Sequence, residues 1–136
     1  MLYAEKPRFK PQPEGFSERL QKSRNGMGDR VLIFGGSGML GHKLSQVISK
    51  EVDTFATMRD SGLAEKFPGV FGKTRIIEGV DAQSVESIDR AFEIAQPTVV
   101  VNAIGIVKQI ASAKDAVNSI TVNSVFPHRL AERCGR

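Results

Sequence analysis

The sequence predicts an α/β fold, a doubly wound parallel sheet of about four strands with helices on both faces. Three observations carry this. Apolar runs of strand length alternate with segments of helical periodicity, the pattern of β-α-β units with right-handed crossovers. The first run, Val31-Leu32-Ile33-Phe34, passes straight into Gly35-Gly36-Ser37-Gly38-Met39-Leu40-Gly41, a glycine-rich turn that opens a helix. The run from Thr98 to Ala103 is apolar almost throughout, as parallel strands covered on both faces are.

Each element has its own signal. The first strand is expected at Arg30 to Phe34. The first helix follows at Met39 to Ser49, with Met39, Leu40, Leu44, Val47 and Ile48 at helical spacing and expected on its inward face. The second strand is short, Thr54 to Met58. A loop with Gly62, Pro68, Gly69 and Gly72 comes next and has room for one helical turn at Leu63 to Phe67. Arg75 to Glu78 forms the third strand. The second long helix runs from Ser84 to Ala95, with Val85, Ile88, Phe92 and Ile94 expected inward, and Pro97 ends it. The fourth strand spans Thr98 to Ala103. A last helix covers Ala116 to Cys134. Pro127 lies inside it, removes a backbone bond, and predicts a kink near residues 123–127 or a helix in two pieces.

Composition and charge narrow the classes. The chain has 136 residues, 40% apolar and 25% charged, enough for one domain with a core and unlike a disordered segment. No apolar run approaches the roughly 18 residues of a membrane span. No secretory leader is apparent, and the one cysteine, Cys134, excludes an internal disulfide. A cytoplasmic location is the expectation. The net charge is +4, yet residues 1–26 hold six Lys/Arg against three Asp/Glu while the body holds thirteen against twelve. A basic nucleic-acid face on the body is therefore not expected. Residues 1–28, with Pro7, Pro11, Pro13 and Gly15, read as a flexible basic extension, with a short amphipathic helix allowed around Phe16 to Leu20. Met27 offers a second plausible translation start. The alternative is a genuine basic tail with a partner of its own.

The chemistry concentrates in the glycine turn. Gly36, Gly38 and Gly41 give G-x-G-x-x-G, and Gly35, Gly38 and Gly41 give G-x-x-G-x-x-G. The early glycines let the backbone reverse, Gly38 leaves room for a pyrophosphate, and Gly41 lets the helix approach the sheet. The N–H groups from Ser37 to Leu40 are expected free for phosphate. A glycine-rich turn without a ligand is the plain alternative. The position of the motif between a strand and a helix favours dinucleotide binding.

The ends of the later strands supply the remaining candidates. Arg59 could pair with a ribose 2′-phosphate, favouring NADP, while Asp60 could accept from a ribose hydroxyl, favouring NAD. Asp81, followed by Ala82, lies where an adenine edge would come, or it caps the second long helix, as Ser84 could. Asn102-Ala103-Ile104-Gly105 ends the fourth strand with small residues, and Asn102 could brace nearby backbone. His42 and His128 read as surface or boundary histidines, and no metal-ligand spacing occurs.

The glycine turn, Asp81, the Asn102-Ala103-Ile104-Gly105 segment and Asn123 together resemble the extended short-chain dehydrogenase/reductase superfamily. The likeness is greatest to its dTDP-4-dehydrorhamnose reductase (sugar-nucleotide reductase) branch and covers residues 29–136. The resemblance implies the N-terminal part of a Rossmann-like dinucleotide-binding domain. It implies pyrophosphate at Gly35, Ser37, Gly38, Met39, Leu40 and Gly41, adenine at Asp81 and Ala82, and the nicotinamide side of the cleft at Asn102, Ala103 and Gly105, with Asn123 shaping the site. NADP is the expected cofactor, through Arg59, with NAD the alternative, and a nucleotide-sugar is the substrate of the complete enzyme.

The chain departs from that pattern in its second half, where the resemblance also leads one to expect a strand after Cys134 and the substrate-binding segments. The superfamily's Tyr-x-x-x-Lys is absent, the one tyrosine being Tyr3. The resemblance thus implies the cofactor-binding portion of a reductase or epimerase, truncated after about four strands and inactive alone. The alternative is a non-catalytic NAD(P)-binding regulatory or sensor module. Nucleic-acid binding through the basic tail is a weaker third reading. A fourth strand left at the sheet edge exposes Val99-Val100-Val101 and predicts self-association or pairing with a complementing chain.

Overall fold

The computed structural model describes residues 28–107 and 115–135. The basic extension, the helix considered at Phe16 to Leu20 and the alternative start at Met27 lie outside the described residues.

Four parallel strands form one sheet in the order β3-β2-β1-β4. They are β1 (Arg30–Phe34), β2 (Asp53–Thr57), β3 (Arg75–Ile77) and β4 (Val99–Asn102). The helices are α1 (Met39–Ile48), the single turn α2 (Leu63–Lys66), α3 (Val85–Ala95), α4 (Ala116–Ile120) and α5 (Phe126–Cys134). The sequence placed every strand correctly to within about a residue at each end, the usual latitude of element boundaries. Register pairs Leu32 with Phe55 on one side and with Val100 on the other.

Alternation along β1 builds both halves of the core. Leu32 and Phe34 face α3 and α5, packing with Phe55, Ile77, Ile88, Ala91, Ala95, Phe126 and Leu130. Val31 and Ile33 face the other way, onto Ala56, Leu44 and Ile48. The Phe34 ring is the hub of the first layer. Phe126 meets it edge-on at 5.5 Å between centroids, and Phe92 lies 5.9 Å away. Such ring pairs add roughly 0.5–1.5 kcal/mol beyond their buried area.

Leu44 and Ile48 of the first long helix and Ile88 and Phe92 of the second pack inward as the apolar spacing predicts, but the rest of each predicted face does not. Met39, Leu40 and Val47 of α1 are exposed, and the inward positions are Gly41, Leu44, Ser45 and Ile48. The reason is Gly41. A Cβ there would overlap the Gly35 carbonyl oxygen and lie 2.7 Å from the Gly35 carbonyl carbon. The closest approach of helix to turn therefore sets the rotation of α1, and a hydrophobicity pattern gives glycine no weight. In α3, Ile88 and Phe92 pack inward as expected, but Val85 and Ile94 are exposed, and Ala91 and Ala95 take the contact with β1. Small side chains let that helix sit close to the sheet.

β4 also differs from its expectation. Val99 is exposed and Val100 and Val101 are half-buried, because β4 pairs only with β1 among the described residues. The last helix comes in two α-helical pieces, α4 and α5, interrupted just before Pro127 as the sequence predicts. A π-helical segment, Thr121–Val125, joins α4 to α5 without leaving the helical region of backbone space. The wider turn relaxes the clash and the lost bond that a proline brings to a regular helix.

Candidate functional site

All four strand ends open onto one cavity of about 410 Å³. It lies beyond the carboxyl edge of the sheet, where the chain leaves β1 and β4 toward opposite faces. Open α/β sheets bind ligands at such switch points. The volume falls within the range of small-molecule sites.

The β1–α1 turn forms the floor. Gly35 has φ +89°, the left-handed region, and a Cβ on it would meet the Ile104 side chain at 2.8 Å. A Cβ on Gly36 would meet the Ala56 Cβ at 2.8 Å. The turn is held by β2: Gly36 N–H donates to Thr57 O at 2.8 Å, and Gly35 N–H donates to Thr57 Oγ1 at 3.3 Å. Gly38 is different. A Cβ there would come no nearer than 3.4 Å to Gly35 O and 3.9 Å to Ala103 O, which is ordinary contact. Nothing among the described residues requires glycine at that position, and it lines the cavity.

Gly38 is also the N-cap of α1. No side chain caps this helix and its first turn carries no acid. One expected donor is already engaged, since Gly38 N–H bonds Gly35 O at 3.1 Å. The turn is tight enough to close on itself, which corrects the expectation of free N–H groups throughout Ser37 to Leu40. The N–H groups of Ser37, Met39 and Leu40 have no acceptor among the described residues. Uncapped donors and the positive end of the helix dipole favour an anion at this spot.

The β2 end contributes Thr57, Met58, Arg59 and Asp60. Arg59 and Asp60 are exposed at the rim and their charged groups lie 3.7 Å apart. The β3 end contributes Val80, Asp81, Ala82 and Gln83. Ser84, not Asp81, is the N-cap of α3, its hydroxyl accepting from Ser87 N–H. Asp81 Oδ1 accepts from Gln83 N–H at 2.8 Å, and Oδ2 has no partner among the described residues.

Two asparagines shape the β4 side. Asn102 Oδ1 accepts from Ile104 N–H at 2.9 Å. Asn123, in the π-helical segment, grips the Ile106 backbone with both ends of its amide: Oδ1 accepts from N–H at 2.8 Å and Nδ2 donates to O at 2.9 Å. These bonds hold Ala103, Ile104, Gly105 and Ile106 against the cavity.

Of the residues singled out in the sequence, Gly35, Ser37, Gly38, Arg59, Asp81, Ala82, Ala103 and Gly105 line the cavity. Met39, Leu40, Gly41, Asn102 and Asn123 are not among its lining residues. Met39 and Leu40 begin α1 with exposed side chains, Gly41 is buried against the turn, and the asparagines act through backbone. Sequence reasoning missed Thr57, Gln83, Asn118 and Val122. Thr57 ends an apolar strand with a hydroxyl, a signal that was available. Asn118 and Val122 carried none, since only the fold brings α4 over the β3 end.

Residues 29–136 match the RmlD substrate binding domain family. The chain belongs to that family. The match spans the whole described structure apart from Gly28, and the resemblance to the short-chain dehydrogenase/reductase superfamily holds. The fold is similar to that of UDP-glucose 4-epimerase from Thermus thermophilus, a complex with NAD, at TM-score 0.61 and 26% identity, covering 77% of this chain and 33% of that one. L-threonine dehydrogenase from Clostridium difficile shares the fold at TM-score 0.63 and 14% identity, over 79% and 33% of the two chains. So does Bordetella bronchiseptica WbmG in complex with NAD and UDP, at TM-score 0.59 and 22% identity, over 80% and 34%. The RmlD-family chain thus spans about a third of the length of these structures. No curated protein matches it significantly.

Proposed function

We propose that the cavity binds a nicotinamide adenine dinucleotide, and that this RmlD-family chain is the cofactor-binding portion of a sugar-nucleotide reductase or epimerase. The observation that carries the reading is Gly38. A side chain there would meet the described residues only at ordinary contact distances, while Gly38 lines the cavity at the uncapped N-terminus of α1, where an anion approaches most closely if the residue is glycine. The NAD complex of the UDP-glucose 4-epimerase with the same fold supports the choice of ligand.

The residues take the following roles. Ser37, Met39 and Leu40 donate backbone N–H bonds to the pyrophosphate, and Gly35 and Gly41 keep turn and helix close enough to present them. Asp81 accepts from the adenine amine through Oδ2, with Ala82 beside it. Asn102 and Asn123 hold Ala103 to Ile106 as the wall of the nicotinamide side. Arg59, exposed at the rim, meets the ribose 2′-phosphate and makes NADP the preferred form. When bound, the dinucleotide supplies hydride chemistry at its nicotinamide ring. No Tyr-x-x-x-Lys occurs in the 136 residues, so binding without turnover is the expected behaviour of the chain as it stands.

Calorimetry with NADPH and NADH tests the reading. Both bind, NADPH more tightly, and Gly38→Val abolishes both while the far-ultraviolet circular dichroism stays unchanged. Absence of binding to the wild-type chain, or full binding by Gly38→Val, refutes it. Reduction of a keto-sugar nucleotide by the wild-type chain would refute the binding-only behaviour.

A further inference from the structure

Two amides meet across the cavity at residues given no role above. Gln83 lies in the β3–α3 connection and Asn118 on α4, and Gln83 Nε2 donates to Asn118 Oδ1 at 2.8 Å. Both residues line the cavity beside Val80, Asp81, Ala82 and Val122. The bond is exposed. Water competes with it and two side chains must be ordered to make it, so by itself it stabilises the fold little.

What the pair leaves over is more informative. Each primary amide carries an acceptor oxygen and an NH₂ donor. With the mutual bond made, Gln83 Oε1 and the Asn118 NH₂ have no partner among the described residues. Turning both amides over exchanges the atoms and still leaves a free acceptor and a free donor. Asp81 Oδ2 adds a second acceptor close by in the chain. Val80, Ala82 and Val122 are buried apolar neighbours that suit the face of a flat ring. Flat apolar contact together with neighbouring donor and acceptor groups describes the needs of a purine base. A pyrophosphate offers acceptors only, and a ribose has no flat face.

We infer that Gln83 and Asn118 form a strap that holds the 6-aminopurine end of the nucleotide. The amide donor bonds a ring nitrogen, and the amide acceptor shares the exocyclic amine with Asp81. The inference rests on the dinucleotide reading and names the residues that secure its base end. Because the amides orient each other, losing either disarms both.

Calorimetry with ADP and with inorganic pyrophosphate, on the full chain, tests this with Gln83→Ala, Asn118→Ala and the double variant. Each single variant lowers ADP affinity about three- to tenfold, the loss expected of one or two hydrogen bonds. The double variant loses no more than about twice what the worse single variant loses, since coupled residues are non-additive. Pyrophosphate affinity stays within about twofold of wild type, as a contact confined to the base requires. Unchanged ADP affinity in the single variants overturns the strap. So do losses that multiply in the double variant, or a fall in pyrophosphate affinity equal to that for ADP, which marks a structural brace. If the wild-type chain binds neither ligand, the dinucleotide reading fails and the strap with it.

Discussion

Replacing Gly41 by alanine reverses the usual sign of a helix substitution. In an ordinary helix interior the change gains about 0.5–1 kcal/mol, because alanine loses less backbone entropy. Here the added Cβ would overlap Gly35 O and lie 2.7 Å from the Gly35 carbonyl carbon and 3.1 Å from Gly36 Cα. All three are backbone atoms, and the turn that carries them is pinned by Gly36 N–H to Thr57 O at 2.8 Å. The helix cannot rotate away either, since Ser45 is fully buried one turn later and its carbonyl oxygen accepts from Thr74 Oγ1 at 3.0 Å. Overpacking against rigid atoms costs about 1–3 kcal/mol, and the upper end applies. Set against the propensity gain, Gly41→Ala destabilises by about 2 kcal/mol. At about 4–8 °C per kcal/mol for a domain of this size, the melting temperature falls by about 8–16 °C. Gly38→Ala is the control. Its Cβ has 3.4 Å to the nearest atom, so the fold loses under about 1 kcal/mol, the scale of an N-cap change. Thermal denaturation followed by circular dichroism reads both. A Gly41→Ala melting temperature equal to or above wild type would refute the argument that this contact sets the rotation of α1.

Further outcomes follow from single contacts. The proposed NADP preference predicts that Arg59→Ala lowers NADPH affinity about tenfold and leaves NADH within about twofold, as a guanidinium that meets only the extra phosphate requires; equal losses in calorimetry would reject that preference. Asn123→Ala removes two bonds to Ile106, costs about 1–2 kcal/mol in urea denaturation, and weakens NADH more than ADP. An exposed outer edge on β4 predicts association, with Val99→Lys on that strand expected to reduce the apparent mass in light scattering at high concentration. Partial burial pushes the Cys134 thiol above its ordinary value, so below that value it alkylates more slowly than free cysteine. As pH rises the unfolded chain releases this proton first, and native stability falls in alkaline solution.

The boundaries of the fold were legible in the chain because they depend on local chemistry. Strand runs, the glycine turn, Ser84 as a helix cap and Pro97 as a stop each act within a few residues of themselves. Asp81 and Ala103 were found at the cavity for the same reason, since parallel strands all deliver their last residues to one edge. The helix faces were less legible. Val47 and Ile94 are as apolar as any core residue and are exposed, while Gly41, Ser45 and Ala91 occupy the contact. Rotation there follows how near two backbones must come, which hydropathy does not measure.

The turn from Gly35 to Gly41 shows the division most clearly. The sequence by itself determined that a strand, a reversal and a helix follow one another, because glycine spacing is a local property. Tertiary structure decided what each glycine is for. Gly35 clears Ile104, Gly36 clears Ala56, Gly41 clears the turn itself, and Gly38 alone of the four would make only ordinary contacts if it carried a side chain. It also decided that Asn102 and Asn123 grip backbone, and that Gln83 meets Asn118 across the cavity. Those roles depend on distances between residues remote in the chain, and such distances exist only once the sheet has assembled.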